Sequence, residues 1–209
     1  MKNTKTSDLV KVSLFVAIIV LMAATPFLGY IPLGFTRATI IHIPVIIASI
    51  LLGPRYGGFL GFVFGLTSLI NNTLNPTVTS FVFTPFYSLG SYSGNFWSLV
   101  VVFVPRILVG ITPYYIYKGM KKINNNDTLA LGIAGVGGSL TNTLLVMNFI
   151  YLFFGRSYAQ AKDVSFAGLY NIILSVIAIN GIPEAIVAGI LTIAVCKALM
   201  RYISRTALR

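Results

Sequence analysis

Six runs of mostly apolar residues, at about 12–28, 37–52, 56–70, 96–117, 129–154 and 168–196, set the terms on which this chain can fold. A helix needs about 20 predominantly apolar residues to cross a bilayer. Backbone polar groups in hydrocarbon must also find their partners within the protein. The runs therefore predict an all-α polytopic membrane protein, one integral membrane domain over residues 1–209 folded as a bundle of six transmembrane helices. The second and third runs are short for full crossings and flank Gly53-Pro54-Arg55-Tyr56-Gly57, a tight turn by its proline and glycine content. They can instead form a re-entrant pair, which leaves the number of crossings even.

Composition excludes the other classes. Apolar residues make up 56% of the chain and charged residues 9%, against roughly 25% charged in soluble domains. That excludes an ordinary water-soluble globule, and a disordered chain is excluded by the same figures. The single cysteine, Cys196, excludes a disulfide framework and a cysteine-rich metal site. The first run has the basic start of a signal peptide. Its length, and the lack of a small-x-small cleavage site between Pro26 and Tyr30, predict a retained helix instead.

The net charge of +11 is explained by where the basic residues sit. Lys2, Lys5, Lys11, Arg55, Lys118, Lys121, Lys122, Lys197, Arg201, Arg205 and Arg209 fall on one side of the predicted bundle, and only Arg37, Arg156 and Lys162 on the other. Cytoplasmic loops carry the Lys and Arg excess, so both termini are expected in the cytoplasm. No basic patch is interleaved with aromatics in the manner of a base reader, so no nucleic-acid partner is expected. One outer loop, Asn71 to Asn95, has no charged residue and is dense in Asn, Thr, Ser, Tyr, Phe and Pro. Long loops of that chemistry are often lids or binding loops; the alternative is a loop that lies on the interface through its aromatics.

Catalysis is not expected. There is no Walker A sequence, so ATP hydrolysis by the P-loop route is excluded. One His and one Cys cannot build a clustered zinc site, and no nucleophile is paired with a base. His42, Arg106 and Glu184 are the ionisable groups within the runs, and such groups face an interior cavity or a partner. Arg106 lies about ten residues into the fourth run, roughly 15 Å from its outer end at 1.5 Å per residue. Its guanidinium can clamp a carboxylate or phosphate with two parallel hydrogen bonds, or form a structural salt bridge to Glu184. Glu184 follows Pro183 and can instead stabilise a kink, while His42 reads as a satisfied core residue or a ligand contact. In the fifth run Thr141 and Asn148 share a face, with Asn142 one step round. Their polar groups require partners in neighbouring helices or in a polar ligand. Trp97 belongs to an interfacial aromatic belt or floors a pocket.

Small residues recur at four-residue spacing: Gly57, Gly61 and Gly65 in one run, Gly181, Ala185 and Gly189 in another, and Ser13 with Ala17 in the first. Such stripes let helices approach closely. Most are expected to serve packing, and the stripe on the first run can dock a partner subunit.

The order of Gly29-Tyr30-Ile31-Pro32, Ile41-His42-Ile43-Pro44 and Leu52-Gly53-Pro54-Arg55-Tyr56-Gly57 resembles the S components of energy-coupling-factor (ECF) vitamin transporters. Phe64-Gly65-Leu66-Thr67-Ser68, Asn71-Asn72-Thr73-Leu74-Asn75-Pro76 and Pro105-Arg106-Ile107-Leu108-Val109-Gly110 resemble the pantothenate-type branch more narrowly. The similarity runs from about Val12 to Met200. It implies a subunit of the cell membrane that captures a vitamin from outside and associates with a membrane coupling (T) subunit and two cytoplasmic ATPases. ATP would be used by those partners, with no cofactor in this chain. Family members meet the coupling subunit through an Ala-x-x-x-Ala surface on the first helix. Here Ser13 and Ala17 hold those positions, with Ser replacing the first Ala.

The resemblance places the site in the outer half of the bundle. Pantothenate has a carboxylate, two hydroxyls and an amide. Arg106 is expected to pair the carboxylate, with Asn72, Asn75, Asn142 and Asn148 bonding the hydroxyls and amide, and Trp97 and His42 lining the pocket. Related branches take hydroxymethylpyrimidine or other vitamins, in which case the aromatics stack a ring and Arg106 is structural. Two further readings are a self-sufficient facilitator and an intramembrane enzyme centred on His42 and Glu184.

Overall fold

The computed structural model describes residues 4–25, 29–33, 36–90 and 92–207. The last three residues of the first run (26–28), Lys2 and Arg209 lie outside the described residues, as do the side chains of Lys5, Arg37 and Arg205. Among the described residues eight α-helices carry the fold: α1 (Thr4–Ala24), α2 (His42–Leu52), α3 (Pro54–Leu74), α4 (Phe96–Val109), α5 (Thr112–Ile123), α6 (Asp127–Ala161), α7 (Leu169–Val176) and α8 (Ile182–Ala207). Two short antiparallel hairpins join them. Strands β1 (Tyr30–Leu33) and β2 (Thr36–Thr39) pair Tyr30 with Thr39 and Leu33 with Thr36. Strands β3 (Ser88–Leu89) and β4 (Tyr92–Ser93) pair within the 75–95 connection.

Among the described residues, four helical segments are long and apolar enough to cross a membrane: Thr6–Ala24, Phe96–Ile123, Asp127–Ala161 and Phe166–Tyr202. The other two predicted runs differ from that pattern for separate reasons. At 11 residues α2 is about 16 Å long, half the ~30 Å hydrocarbon core. Helix α3 has the length, at 21 residues, but its last two turns carry Thr67, Ser68, Asn71, Asn72 and Thr73.

Three predicted segment outlines change. The second run does not begin as a helix at Arg37: residues 36–39 form β2, and α2 starts at His42. Pro44 falls in the first turn of α2, where its missing N–H costs no helical bond. The fourth run is two helices, because Pro113 has no N–H to return to Val109 and the chain breaks across Gly110 and Ile111. The sixth is α7 and α8 joined by a π-helical turn, Ile177–Gly181, directly before Pro183. Proline removes a hydrogen bond to the preceding turn, and single π turns occur where a helix is interrupted in this way.

Helix α6 packs against α8, α5 and α4, and α3 packs against α4, α2 and α1. Helix α2 is buried on nearly every side, from His42 and Ile43 through Val45 to Ile50, as expected of a helix apolar all round. It centres one core with Ile19, Leu60, Phe64 and Leu131. A second core gathers Phe81, Val101, Val146, Ile150, Phe154 and Ile173.

The glycine stripes are internal seams. A Cβ on Gly57 would meet the carbonyl of Gly110, one on Gly61 the carbonyl of Arg106, and one on Gly65 the ring of Phe103 at 2.7 Å. On the other seam, a Cβ on Gly181 would meet Thr143 at 2.8 Å, and one on Gly189 would meet Val136 at 3.0 Å. Backbone contact between α3 and α4 therefore depends on residues without side chains. Gly61→Ala is expected to cost about 1–3 kcal/mol as an overpacking change, read as a lower apparent Tm in detergent. Gly119→Ala, where a Cβ would meet nothing within 4 Å, should leave the Tm unchanged or raise it.

Candidate functional site

Pro105 creates the local geometry of the site. Lacking an N–H, it leaves the carbonyl of Val101, four residues back, without its helical donor. The guanidinium of the next residue fills that place: Arg106 Nη1 donates to the Val101 oxygen at 2.8 Å. A helical side chain projects back over the preceding turn, so this contact follows from sequence order. The Arg106 guanidinium carbon also lies 5.6 Å from the ring centre of Phe64 and 5.4 Å from that of Phe83, within cation–π range. Arg106 is only 6% exposed.

Arg106 lines a small cavity of about 80 Å³. Helix α6 contributes Asn142, Thr143, Val146 and Met147, and the α7–α8 segment contributes Val176, Asn180 and Glu184. Thr39, at the end of β2, and Phe83, in the 75–95 loop, complete the wall. The Thr39 backbone N–H donates to Glu184 Oε1 at 3.0 Å, tying the first hairpin to the start of α8. Asn142 is buried, and in the orientation of its amide here Oδ1 has no hydrogen-bond partner. A buried acceptor without a donor is costly to leave so. The wall therefore combines one fixed cation with acceptors on α6 and α8.

The residues expected at the site from sequence are distributed as follows. Arg106 and Asn142 line the cavity together. His42 is fully buried at the start of α2, beside the Thr39 backbone. Asn72 is engaged within its own neighbourhood: Nδ2 donates to the Ser68 carbonyl at 2.9 Å, and Oδ1 accepts from Ser80 Oγ at 2.9 Å. Asn75 is exposed and donates to Asn71 Oδ1 at 3.1 Å. Asn148 donates back to the Leu144 carbonyl at 2.7 Å. Trp97 is half exposed and stacks on Phe153 at 4.3 Å, next to Phe96 and in the manner of an interfacial aromatic cluster. None of these last five is among the residues lining the Arg106 cavity.

Thr39, Phe83, Thr143 and Asn180 escaped the sequence reading. One signal for Asn180 was present, since it stands four residues before Glu184 and such pairs share a helix face. Thr39 had none, because its place depends on a hairpin that the apolar run conceals.

The chain matches the family model described as ECF transporter, substrate-specific component, over residues 7–196. The chain belongs to that family. It is 41% identical over 203 residues to a protein of Lactococcus lactis subsp. cremoris named pantothenic acid transporter PanT, covering 96% of this chain and 97% of that one. It is 32% identical over 215 residues to the pantothenate transporter PanT of Leuconostoc mesenteroides subsp. mesenteroides, with both chains covered completely. Its fold is similar to a crystal structure of the S-component for biotin from an ECF-type ABC transporter, with TM-score 0.54 and 18% identity over 94% of each chain. As an S component it is a multi-pass protein of the cell membrane and a transporter subunit, not an enzyme.

Within this S component the Asn72–Ser80 contact fastens the end of α3 to the loop that supplies Phe83. Asn72→Ala should cost about 1–3 kcal/mol by leaving buried polar groups unmatched. Limited proteolysis should then cut the 75–95 loop faster than in the unaltered protein.

Proposed function

We propose that this chain is the substrate-capturing subunit of a pantothenate importer. The observation that carries the reading is a buried guanidinium presented to a cavity that also holds acceptors from two other helices. An anion at one end and hydroxyl and amide donors along its length are what such a wall complements, and pantothenate has both. The names of two relatives covered end to end or nearly so point to the same vitamin. At about 80 Å³ the cavity is below the ~300 Å³ at the small end of ligand pockets. Binding therefore requires the first hairpin and the 75–95 loop, which supply Thr39 and Phe83, to yield.

Arg106 pairs the carboxylate and Asn142 takes a hydroxyl or amide hydrogen. Asn72 acts by holding the loop, while His42 and Trp97 shape the surroundings without touching ligand. A charge-assisted bond contributes about 1.5–3 kcal/mol net. Arg106→Ala should thus weaken pantothenate binding roughly tenfold to over a hundredfold, measured by calorimetry on the purified chain. Panthenol, the neutral alcohol analogue, should lose far less. Equal losses for both ligands would make Arg106 structural.

In this reading both termini face the cytoplasm, the bundle crosses the membrane six times, and energy comes from a coupling subunit and two ATPases. Ser13 and Ala17 are exposed on α1, on a face shared with Leu9, Val10, Leu14 and Leu21. A coupling subunit is proposed to pack there. Ala17→Trp should abolish co-purification with that subunit in mild detergent while leaving the pantothenate Kd unchanged; retained co-purification would move the interface elsewhere.

A further inference from the structure

Glu184 shares the cavity wall with Arg106 and Asn142, and its surroundings define a specific task for it. One of its oxygens, Oε1, accepts the Thr39 N–H at 3.0 Å. A carboxylate has about four acceptor positions on its two oxygens, so this contact fixes the group's orientation without exhausting it. The side chain lines the same cavity as Arg106 and Asn142. Asn142 Oδ1, on α6 in the wall of the same cavity, is a buried acceptor that has no partner. One cavity wall thus carries acceptors from α6 and α8 together with a cation from α4, a set that suits a ligand bearing both an anion and hydrogen-bond donors.

We propose that Glu184 is a specificity-determining ligand contact that accepts a hydroxyl of the bound substrate, so that the cavity recognises a hydroxylated acid and not merely a carboxylate. The assignment rests on the pantothenate reading given above. Its physical basis is that a site built to bond a hydroxyl rejects an analogue lacking it, since the buried acceptor is then left unmatched. The π-helical turn Ile177–Gly181 and Pro183 place this residue. The irregular turn sets both Asn180 and Glu184 on the cavity wall and leaves the carboxylate tethered by the hairpin. The same carboxylate thus joins ligand recognition to the position of the first hairpin.

A ligand and variant cycle tests this. Calorimetry on the purified full chain would compare pantothenate with two analogues, each having one hydroxyl replaced by hydrogen, for the unaltered protein and for Glu184→Gln. The glutamine keeps an oxygen for the Thr39 N–H but replaces the other acceptor with a donor. The expected result is a loss of about tenfold or more in pantothenate affinity, with little further loss for one of the two deoxy analogues. Glu184→Asp, which retains the charge but withdraws it by one methylene, should show the same selective loss, and serves if the glutamine variant does not fold. An equal loss for all three ligands would make Glu184 a tether for the hairpin alone and overturn the proposal. No loss for any ligand would overturn it too. If the unaltered chain does not bind pantothenate at all, the pantothenate reading fails together with this one. If it binds pantothenate and shows no coupling between residue and hydroxyl, only the Glu184 assignment falls.

Discussion

A guanidinium cannot sit in the interior of an apolar helix bundle unless the structure around it is arranged to hold it, and Arg106 is the point from which the rest of this fold can be understood. Its charge is met in three ways: by a carbonyl that Pro105 frees, by the faces of two phenylalanines, and by a cavity with polar walls. The cost of a charge in hydrocarbon is several kcal/mol even on the most lenient scales. A bundle that only needed to pack would fill this position with leucine. The charge is instead held by the groups that surround it.

The glycine seam makes that placement possible. The backbones of α3 and α4 touch because Gly57, Gly61 and Gly110 have no side chains, and the contact occurs at Arg106 itself, whose carbonyl faces Gly61. Helix α3 also supplies Phe64 beneath the guanidinium. The site thus owes its rigidity on this side to close helix packing. On the opposite side it is closed by less regular structure: a two-stranded hairpin, a loop with a 3-10 turn, and a π-helical turn before Pro183. The cation comes from the close-packed side, and Asn142 on α6 and Glu184 on α8 complete the polar wall.

The membrane bundle was legible in the sequence because apolar run length and the lack of charge report directly on the bilayer. The burial of Arg106 against a cavity was legible for the same reason, as was the packing role of the glycine stripes. Other features were hidden. Residues 36–39 are embedded in an apolar stretch, so nothing in periodicity separates the strand Thr36–Thr39 from the helix that follows. Asn72, Asn75 and Asn148 were read as ligand contacts from their amides and from where the resemblance places the site. Their bonds to Ser68 and Ser80, to Asn71 and to Leu144 show how a polar side chain in a helix can be satisfied by its own neighbourhood. Whether an amide turns inward depends on helix rotation, which an all-apolar run does not encode. Glu184 was read as a salt-bridge partner of Arg106 or a support for a kink at Pro183; its bond to the Thr39 N–H is one that no run of apolar residues announces.

An experimental structure of the chain with pantothenate bound tests the central claim most directly. The account predicts the vitamin's carboxylate within hydrogen-bond distance of the Arg106 guanidinium, between α4, α6 and α8. A vitamin held elsewhere, with Arg106 still turned back on Val101 and out of reach of the ligand, would contradict it.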